Sequence, residues 1–332
     1  MKKRLLALVL LLSMVAFMFA APAGAEAKPI VLRFGYLSPQ NPEDPYHEFA
    51  SKYKAAIEEK TNGRFQIDLY GAGILGKDRE MAEMLQFGAL DLAIITTSPM
   101  GNFVPAFQVL DLPFIFDGWD HVFRFVDSPV YQDFLQESNK INIKTLAVIA
   151  RGARSVTNSG TPIQTVEDLK GMKLRVIESK VFVDTFEALG AAPQAMSWGE
   201  VFTALQQGTI DGHENSIATI LNERVYEVQK NVTLTQHIFA FCSAHASTKF
   251  WNSLSEEDKV LFDDLATEIA REVSEGQQKL EADYIELLKG HGISFYDIDR
   301  APMKEMTAPV IEAFEKANPA LVKYVEGIEG VR

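Results

Sequence analysis

The sequence predicts an α/β fold with mostly parallel sheets and helices on both faces of the sheets. The chain of 332 residues is 47% hydrophobic and 23% charged, which is typical of a folded soluble protein. Strand patterns alternate with helix patterns without long gaps, as in sheets built from parallel strands. One helical pattern runs from Glu256 to about Lys289. At 1.5 Å per residue it spans roughly 50 Å, so we expect it to cross two domains and tie them together.

The first 25 residues are predicted to be a secretory signal peptide. A basic patch (Met1–Arg4) precedes the apolar run 5–20 and an A-x-A cleavage site that ends at Ala25. The alternative, a retained membrane anchor, is disfavoured because the run has 16 residues and a spanning helix needs about 20. The mature chain would then begin near Glu26 and act in a bacterial periplasm.

The next part of the chain is predicted to form one α/β set. An amphipathic helix over 45–60, ended by the Asn62-Gly63 signal, lies between two strands. A second helix, in "KDREMAEMLQFGAL", leads into an apolar strand. Pro105 and Pro113 then break any long helix in an aromatic segment. The strands of this set are predicted at 30–37, 64–70, 91–97 and 143–150.

A second set follows, with a strand that begins at Arg154 in "RSVTNS", a strand over 172–177 and helices over 180–190 and 198–208. The long helix after Glu256 connects the two sets. The predicted organisation is therefore a signal peptide (1–25) followed by two domains with a ligand cleft between them. Domain I is expected to contain 26–150 plus about 241–280, and domain II 151–240 plus about 281–332.

Charge and cysteine content exclude some function classes. The formal charge is −13, and loss of the signal peptide would make it −16, which argues against nucleic acid and anionic membranes as partners. A buried site can still bind a small anion, because salt screens the surface field over about 8 Å. Cys242 is the single cysteine, so no internal disulfide is expected. Its apolar neighbours favour a buried structural thiol over a nucleophile with His245 as its base.

The stretch "LKGMKLRVIES" places Arg175 inside an apolar strand. Ligands collect outside the carboxyl ends of parallel strands, so Arg175 and Arg154 are both expected to face a crevice between the domains. An unpaired buried guanidinium costs several kcal/mol, and its planar fork suits a carboxylate, sulfonate or phosphate. The residues alone leave open the alternative of an internal salt bridge with Glu178 or Glu214.

Several stretches, taken together and in order, resemble one family. They are "TNGRFQIDLYGAGILGKDREM", "GALDLAI", "DLPFIF", "DLKGMKLRVIES", "ALGAAPQAMSWGEVFTALQQGTIDGHEN" and "YEVQKNVTLTQH". From the signal peptide to Gly290 the chain resembles the substrate-binding proteins of tripartite ATP-independent periplasmic (TRAP) transporters, the DctP-like family. The run from Asp168 to Asn215 is the most specific part of this resemblance.

The resemblance implies a two-domain periplasmic-binding-protein-like fold that closes over an organic acid anion and delivers it to membrane permease subunits. Arg175 matches the family's signature arginine, which clamps the acid group of the ligand, and Asn215 matches its asparagine partner. Arg154 matches a second arginine of many members, and Trp198 matches the aromatic wall of the pocket. No cofactor, metal or enzymatic activity is expected, and the protein is expected to be a monomer.

Three further positions bear on the ligand. Thr96 stands where sialic-acid-binding members have a carboxylate, and Glu178 replaces an asparagine, so sialic acid is disfavoured. Glu178 is expected either to accept a hydrogen bond from a ligand hydroxyl or, slightly favoured, to hold Arg154 or Arg175 in place. His47 is expected to be either a polar ligand contact or an exposed histidine at a helix start. The resemblance leaves three ligand classes: a four-carbon dicarboxylate, a hydroxy or sugar acid, and a hydroxy-sulfonate such as isethionate.

Two other functions are weighed from the same residues. A periplasmic sensor could use the chain as its ligand-binding partner. A secreted metal-dependent hydrolase would use Asp211, His213 and Glu214 of "DGHEN" as metal ligands. The histidines, however, lack the HExxH spacing and the chain lacks a GxSxG motif, so the hydrolase is disfavoured.

Overall fold

The computed structural model describes residues 28–332, so the predicted signal peptide (1–25) lies outside the described residues. The described part is an α/β protein, as predicted. Its strands are β1 (Ile30–Gly35), β2 (Phe65–Tyr70), β3 (Leu92–Thr96), β4 (Ile143–Asn158), β5 (Lys173–Val176), β6 (Ala192–Ala195), β7 (Gly212–Ser216), β8 (Asn231–Thr233), β9 (Phe239–Ser247) and β10 (Ser294–Tyr296).

Helices cover both faces of these strands. They are α1 (Pro45–Lys60), α2 (Asp78–Gln86), α3 (Thr97–Met100), α4 (Trp119–Val126), α5 (Pro129–Leu135), α6 (Lys180–Ala188), α7 (Trp198–Gln206), α8 (Ile217–Asn222), α9 (Thr248–Trp251), α10 (Glu256–Gly290), α11 (Ala301–Ala317) and α12 (Val322–Glu329). Short 3₁₀ helices occupy Pro105–Asp111, Glu137–Ile141, Val166–Leu169, Val225–Glu227 and Pro319–Leu321.

The strands follow the order β2-β1-β3-β9-β4-β7-β5-β6, with β8 pairing with both β4 and β10. Five of the nine strand pairings are parallel. The four antiparallel pairings all involve β4 or β9, in the middle of the order. Parallel units therefore lie on both sides of a pair of long antiparallel strands.

Strand β4 runs through both parts of the molecule. Nine of its first eleven residues, up to Ala153, pair with β9, and its last five, from Arg154, pair with β7. The sequence predicted two separate strands here, one over 143–150 and one that begins at Arg154, because Arg151 and Gly152 interrupt the apolar pattern between them. The pairing register shifts between Ala150 and Gly152, and Gly152 has a φ of 96°. This β-bulge is where a residue without a Cβ is favoured, and it lets the strand continue past the charged residues.

The long helix is confirmed, over 35 residues instead of the predicted 34. The Ser255 side chain caps it by accepting a hydrogen bond from the Asp258 backbone N–H. Its first half packs with α1 and the strands β1 to β3, through residues such as Phe262 and Val273. Its second half packs with α7 and α8, through Tyr284 and Leu288. The helix therefore holds the two sides of the molecule together, as expected.

Helix α1 shows how the local sequence determines an element. The Asp44 side chain caps its start by accepting from the backbone N–H groups of Tyr46 and His47, and Pro45 takes the first turn, where no N–H donor is needed. Apolar residues spaced three or four apart face the core, and the chain turns away at Asn62 and Gly63, both with positive φ.

The C-terminal helix α12 lies elsewhere than the predicted division of the chain assigns it, which is domain II. Tyr324 of α12 packs on Phe134 of α5, with ring centroids 5.6 Å apart, in the core cluster that contains β3 and the aromatic segment. The last helix therefore packs on the side that carries most of predicted domain I. Within residues 28–332, no helix is both long and apolar enough to cross a membrane.

The close approach of β4 and β7 generates a stability prediction. A Cβ at Gly212 would lie 2.0 Å from the Thr157 carbonyl oxygen and 2.7 Å from the Met172 Cε. Because backbone cannot yield easily, we expect Gly212→Ala to lower the free energy of unfolding by about 2 kcal/mol or more. Gly199→Ala in α7 is the control, since nothing lies within 4 Å of its Cβ position. Thermal melts of both variants test this, and equal melting temperatures would contradict it.

Candidate ligand-binding site

A cavity of about 870 Å³ lies between the two sides of the molecule, within the size range of small-molecule sites. One wall comes from segments that follow β1, β2 and β3, and the opposite wall from segments that follow β5, β6 and β7. These are carboxyl ends of parallel strands, where ligands are expected in open α/β sheets. Arg151 and Arg154 of β4 complete the lining.

The two walls touch across the mouth of the cavity. The Lys77 Nζ lies 2.8 Å from Glu200 Oε1 and 2.9 Å from Ser197 Oγ. Asn102 Nδ2 donates to the Glu178 carbonyl oxygen at 2.8 Å on the same side. The structure therefore describes a closed cleft, and exposed polar contacts of this kind are weak enough to break and re-form.

Arg175 extends from β5 into this cavity and is 3% exposed. Its Nε and Nη2 both donate to the Met196 carbonyl oxygen, at 2.9 and 2.6 Å, whereas its buried Nη1 has no hydrogen-bond partner among the described residues. The guanidinium lies 5.5 Å from the centre of the Trp198 ring. Burial lowers the pKa of Arg175 to about 10, so the group stays charged at neutral pH. Within residues 28–332 it forms no salt bridge, and the internal-pair alternative is not realised at this residue.

Arg154 does form an internal salt bridge. Its Nε and Nη2 bind the two carboxylate oxygens of Glu214, the second at 2.9 Å, and His237 Nε2 lies 3.2 Å from the same carboxylate. Burial alone would raise the pKa of Glu214, but Arg154 and His237 together lower it to about 2. Arg154 borders the cavity with its charge already matched, and a direct ligand contact by Arg154 remains a prediction.

Asn215 is positioned by this pair. Its Oδ1 accepts from Arg154 Nη1 at 3.1 Å and from the Ser216 backbone N–H at 2.9 Å. Both bonds use the amide oxygen, so the NH₂ group can donate to a ligand in the cavity. Arg154 thus orients the Asn215 side chain, with its amide oxygen bound and its NH₂ group left to donate.

Trp198, Glu178 and Thr96 also line the cavity. The Thr96 hydroxyl is bonded to Tyr46 Oη at 2.8 Å. In the described part of the chain, the Glu178 carboxylate bonds neither Arg154 nor Arg175, so the favoured interpretation, that Glu178 holds one of them in place, is not what the structure shows. Its other predicted role, accepting from a ligand hydroxyl, remains open to test.

His47 is not brought to the cavity with the other predicted residues. On the first turn of α1 its Nδ1 bonds Tyr36 Oη and its Nε2 bonds Ser51 Oγ at 3.1 Å. Both ring nitrogens are therefore engaged within the wall. The exposed-histidine alternative also fails in detail, because the ring is only partly exposed and burial lowers its pKa.

The histidines and the cysteine considered for metal binding or nucleophilic chemistry (His213, His245 and Cys242) are fully buried. His213 is fully buried, which lowers its pKa to about 3. No group of three or more potential metal ligands was found in residues 28–332. Cys242 is fully buried, which raises the pKa of its thiol, and His245 is bonded to Ser243 and Thr145.

Among the lining residues that sequence reasoning missed are the charged residues Arg151, Asp78 and Glu223. Burial raises the pKa of Asp78 to about 6 and that of Glu223 to about 7. A signal for Arg151 was present, since it interrupts the same apolar strand as Arg154. Without knowledge of the β-bulge, strand alternation would place the two arginines on opposite faces.

Known proteins share this fold and cleft. The family model for "bacterial extracellular solute-binding protein, family 7" (DctP) matches residues 37–317. The sialic acid-binding periplasmic protein SiaP of Vibrio cholerae is 32% identical over 260 residues, which are 78% of this chain and 81% of SiaP.

Two solved TRAP periplasmic solute-binding proteins superpose on nearly the whole described chain. The protein from Polaromonas sp. JS666, bound to D-erythronate, is 32% identical with a TM-score of 0.83, covering 91% of this chain and 99% of that one. The protein from Chromohalobacter salexigens, with bound D-glucuronate, is 28% identical with a TM-score of 0.86, covering 91% and 100%.

These superpositions confirm the predicted periplasmic-binding-protein-like fold. The family is periplasmic, and its members bind small acids and work with a membrane permease. The chain belongs to the DctP family of TRAP-transporter substrate-binding proteins.

Proposed function

We propose that this protein is the periplasmic solute-binding subunit of a TRAP transporter, and that it binds a hydroxy or sugar acid by its carboxylate at Arg175. The observation that carries the proposal is that Arg175 lines the cavity and keeps a buried Nη1 with no hydrogen-bond partner among residues 28–332. A bound carboxylate would accept from this group and from the amide of Asn215. Each charge-assisted hydrogen bond contributes about 1.5–3 kcal/mol net.

The rest of the cavity favours hydroxyl groups over a second anion. Asp78, Glu178 and Glu223 line it, and burial raises the pKa of both Asp78 and Glu223. Such groups exchange hydrogen bonds with hydroxyls and repel a second carboxylate. A four-carbon dicarboxylate therefore fits less well than a hydroxy or sugar acid, and a two-carbon hydroxy-sulfonate would fill little of the 870 Å³. The D-erythronate and D-glucuronate of the structural neighbours are acids of the favoured class.

Binding would act through closure of the cleft. We propose the predicted division into domain I (26–150 plus about 241–280) and domain II (151–240 plus about 281–332), except that α12 goes with domain I, on which it packs. Closure would bend the chain at β4 and β9. A ligand that touches both walls stabilises the closed state, which the permease subunits can recognise. We propose that the protein acts as a monomer without a cofactor, and that it binds its ligand without catalysis.

The first prediction concerns Arg175 as the residue that binds the ligand carboxylate. We expect Arg175→Ala to abolish measurable binding of D-glucuronate and D-erythronate while the variant still folds, because Arg175 bonds only one backbone carbonyl of the protein. Arg175→Lys should recover little, since a point charge cannot replace the planar fork. Isothermal titration calorimetry and circular dichroism measure the two effects.

The control for that experiment is Arg33→Ala, which removes an arginine that is 44% exposed on β1. Wild-type affinity in Arg175→Ala would show that this role is assigned wrongly. Global unfolding of Arg175→Ala would instead indicate that this arginine has a structural role.

The second prediction concerns the ligand class. In a thermal-shift screen of the chain from Glu26 onward, we expect sugar acids and hydroxy acids to raise the melting temperature more than succinate or isethionate at equal concentration. A ligand at 100 times its Kd stabilises the folded state by about 2.7 kcal/mol, which moves the melt by several degrees. A larger shift with succinate would contradict the argument from the cavity carboxyls.

The third prediction concerns pH. Because the folded protein raises the pKa of Glu223 above its ordinary value of 4.5 to about 7, its contribution to stability is present at low pH and is lost as the pH rises towards 7. We expect Glu223→Gln to raise the melting temperature at pH 8 and to change it much less at pH 5. Glu305→Gln, at an exposed position on α11, is the control. An equal effect of Glu223→Gln at both pH values would contradict the prediction.

A further inference from the structure

Arg151 is buried at the cavity and, like Arg175, is bonded by no carboxylate of residues 28–332. We propose that Arg151 is a ligand-binding residue that sets specificity for the end of the ligand farthest from the carboxylate. This inference rests on the proposed function, with the ligand carboxylate at Arg175.

The bonding of Arg151 differs from that of Arg154, three residues further along β4. Arg151 is 6% exposed and bonds two neutral hydroxyls, Tyr46 Oη at 2.9 Å and Thr219 Oγ1 at 2.6 Å. Its buried Nε has no hydrogen-bond partner in the described part of the chain. Arg154 is equally buried but is matched by both carboxylate oxygens of Glu214. A guanidinium has five N–H groups, so three remain free on Arg151.

Arg151 lies at the floor of the cleft, between its two walls. Tyr46 belongs to α1 in one wall and Thr219 to α8 in the other. Asp78 acts electrostatically on both Arg151 and Arg175, whereas Asp44 and Glu223 act on Arg151. Asp44, Asp78 and Glu223 line the same cavity as Arg151 and Arg175, so carboxyl groups are available to a ligand that contacts Arg151. Because Arg151 and Arg175 line one cavity, a ligand held at Arg175 by its carboxylate and long enough to extend along the cavity can contact Arg151.

The chemistry of that end selects a hydroxyl. A ligand hydroxyl can accept from Arg151 and donate to Asp78 or Glu223, which satisfies donor and acceptor together. A methyl group at this position would leave Arg151 without an acceptor and the carboxyl groups without a donor. A second carboxylate on the ligand would be repelled by Asp78 and Glu223. Sites that hydrogen-bond a ligand hydroxyl reject analogues without it by large factors. Arg151 therefore makes the affinity depend on hydroxyl groups at the end of the ligand farthest from its carboxylate.

The β-bulge explains how Arg151 can reach the cavity. Residues three apart in a regular strand point to opposite faces. The register shift between Ala150 and Gly152, with the positive φ of Gly152, breaks this alternation. Arg151 and Arg154 can therefore both border one cavity.

The test compares two acids that share a 2-hydroxycarboxylate end and differ in length, D-gluconate and D-glycerate. Their Kd values are measured by calorimetry for wild type, Arg151→Met, Arg151→Lys and Arg175→Met. We expect Arg151→Met to weaken D-gluconate roughly tenfold more than D-glycerate, and Arg175→Met to weaken both acids alike. Arg151→Lys should reduce the discrimination less than Arg151→Met, because it keeps the charge but loses the fork.

A residue with a purely structural role at the cleft floor would weaken both acids by the same factor. An unchanged ratio of affinities in a folded Arg151 variant therefore overturns the inference. If Arg151→Met does not fold, the same ratio measured in Arg151→Lys decides. If wild type binds neither acid, the proposed function fails first and this inference fails with it. If wild type binds both acids and Arg175→Met loses both, an unchanged ratio in the Arg151 variants counts against Arg151 alone.

Discussion

The burial of three positive charges at one edge of the sheets is the constraint on which the site depends. A buried guanidinium loses its hydration and must recover hydrogen bonds from its surroundings. The protein does so fully for Arg154, through Glu214 and Asn215. It does so only in part for Arg175 and Arg151, each of which keeps a buried nitrogen that has no partner among the residues from 28 onward. This unequal treatment distinguishes an arginine that supports the structure from two that can bind a ligand.

The fold makes this arrangement possible by placing the carboxyl ends of two groups of parallel strands opposite each other. Strand β4 passes from one group to the other, and α10 packs along both. The contacts that close the mouth, such as Lys77 with Glu200, are exposed and individually weak. The floor, in contrast, is built from buried hydrogen bonds. Reversible binding of a solute requires both properties: buried hydrogen bonds keep the binding residues in place, and weak contacts at the mouth let the cleft open again.

Much of the fold could be predicted from the sequence, because periodicity and end signals are local. The start of α10 at Glu256 and the extent of α1 follow from such signals. The course of β4 could not be predicted in this way, since its charged interruption is tolerated only through a bulge and pairing with β9 and β7. The choice of Arg154 over Arg175 as partner of Glu214 also depends on distances between separate strands. For the same reason the sequence could not show that Tyr36 and Ser51 bind the ring of His47.

The central claim is that Arg175 holds the carboxylate of an organic acid in this cavity. The most direct measurement is a crystal structure of the protein with D-gluconate bound. We predict a carboxylate oxygen at about 2.9 Å from Arg175 Nη1, with the hydroxyl chain extending along the cavity. A carboxylate bound at Arg151 or at the Lys77 side of the mouth, with Arg175 Nη1 still unbonded, would contradict the claim.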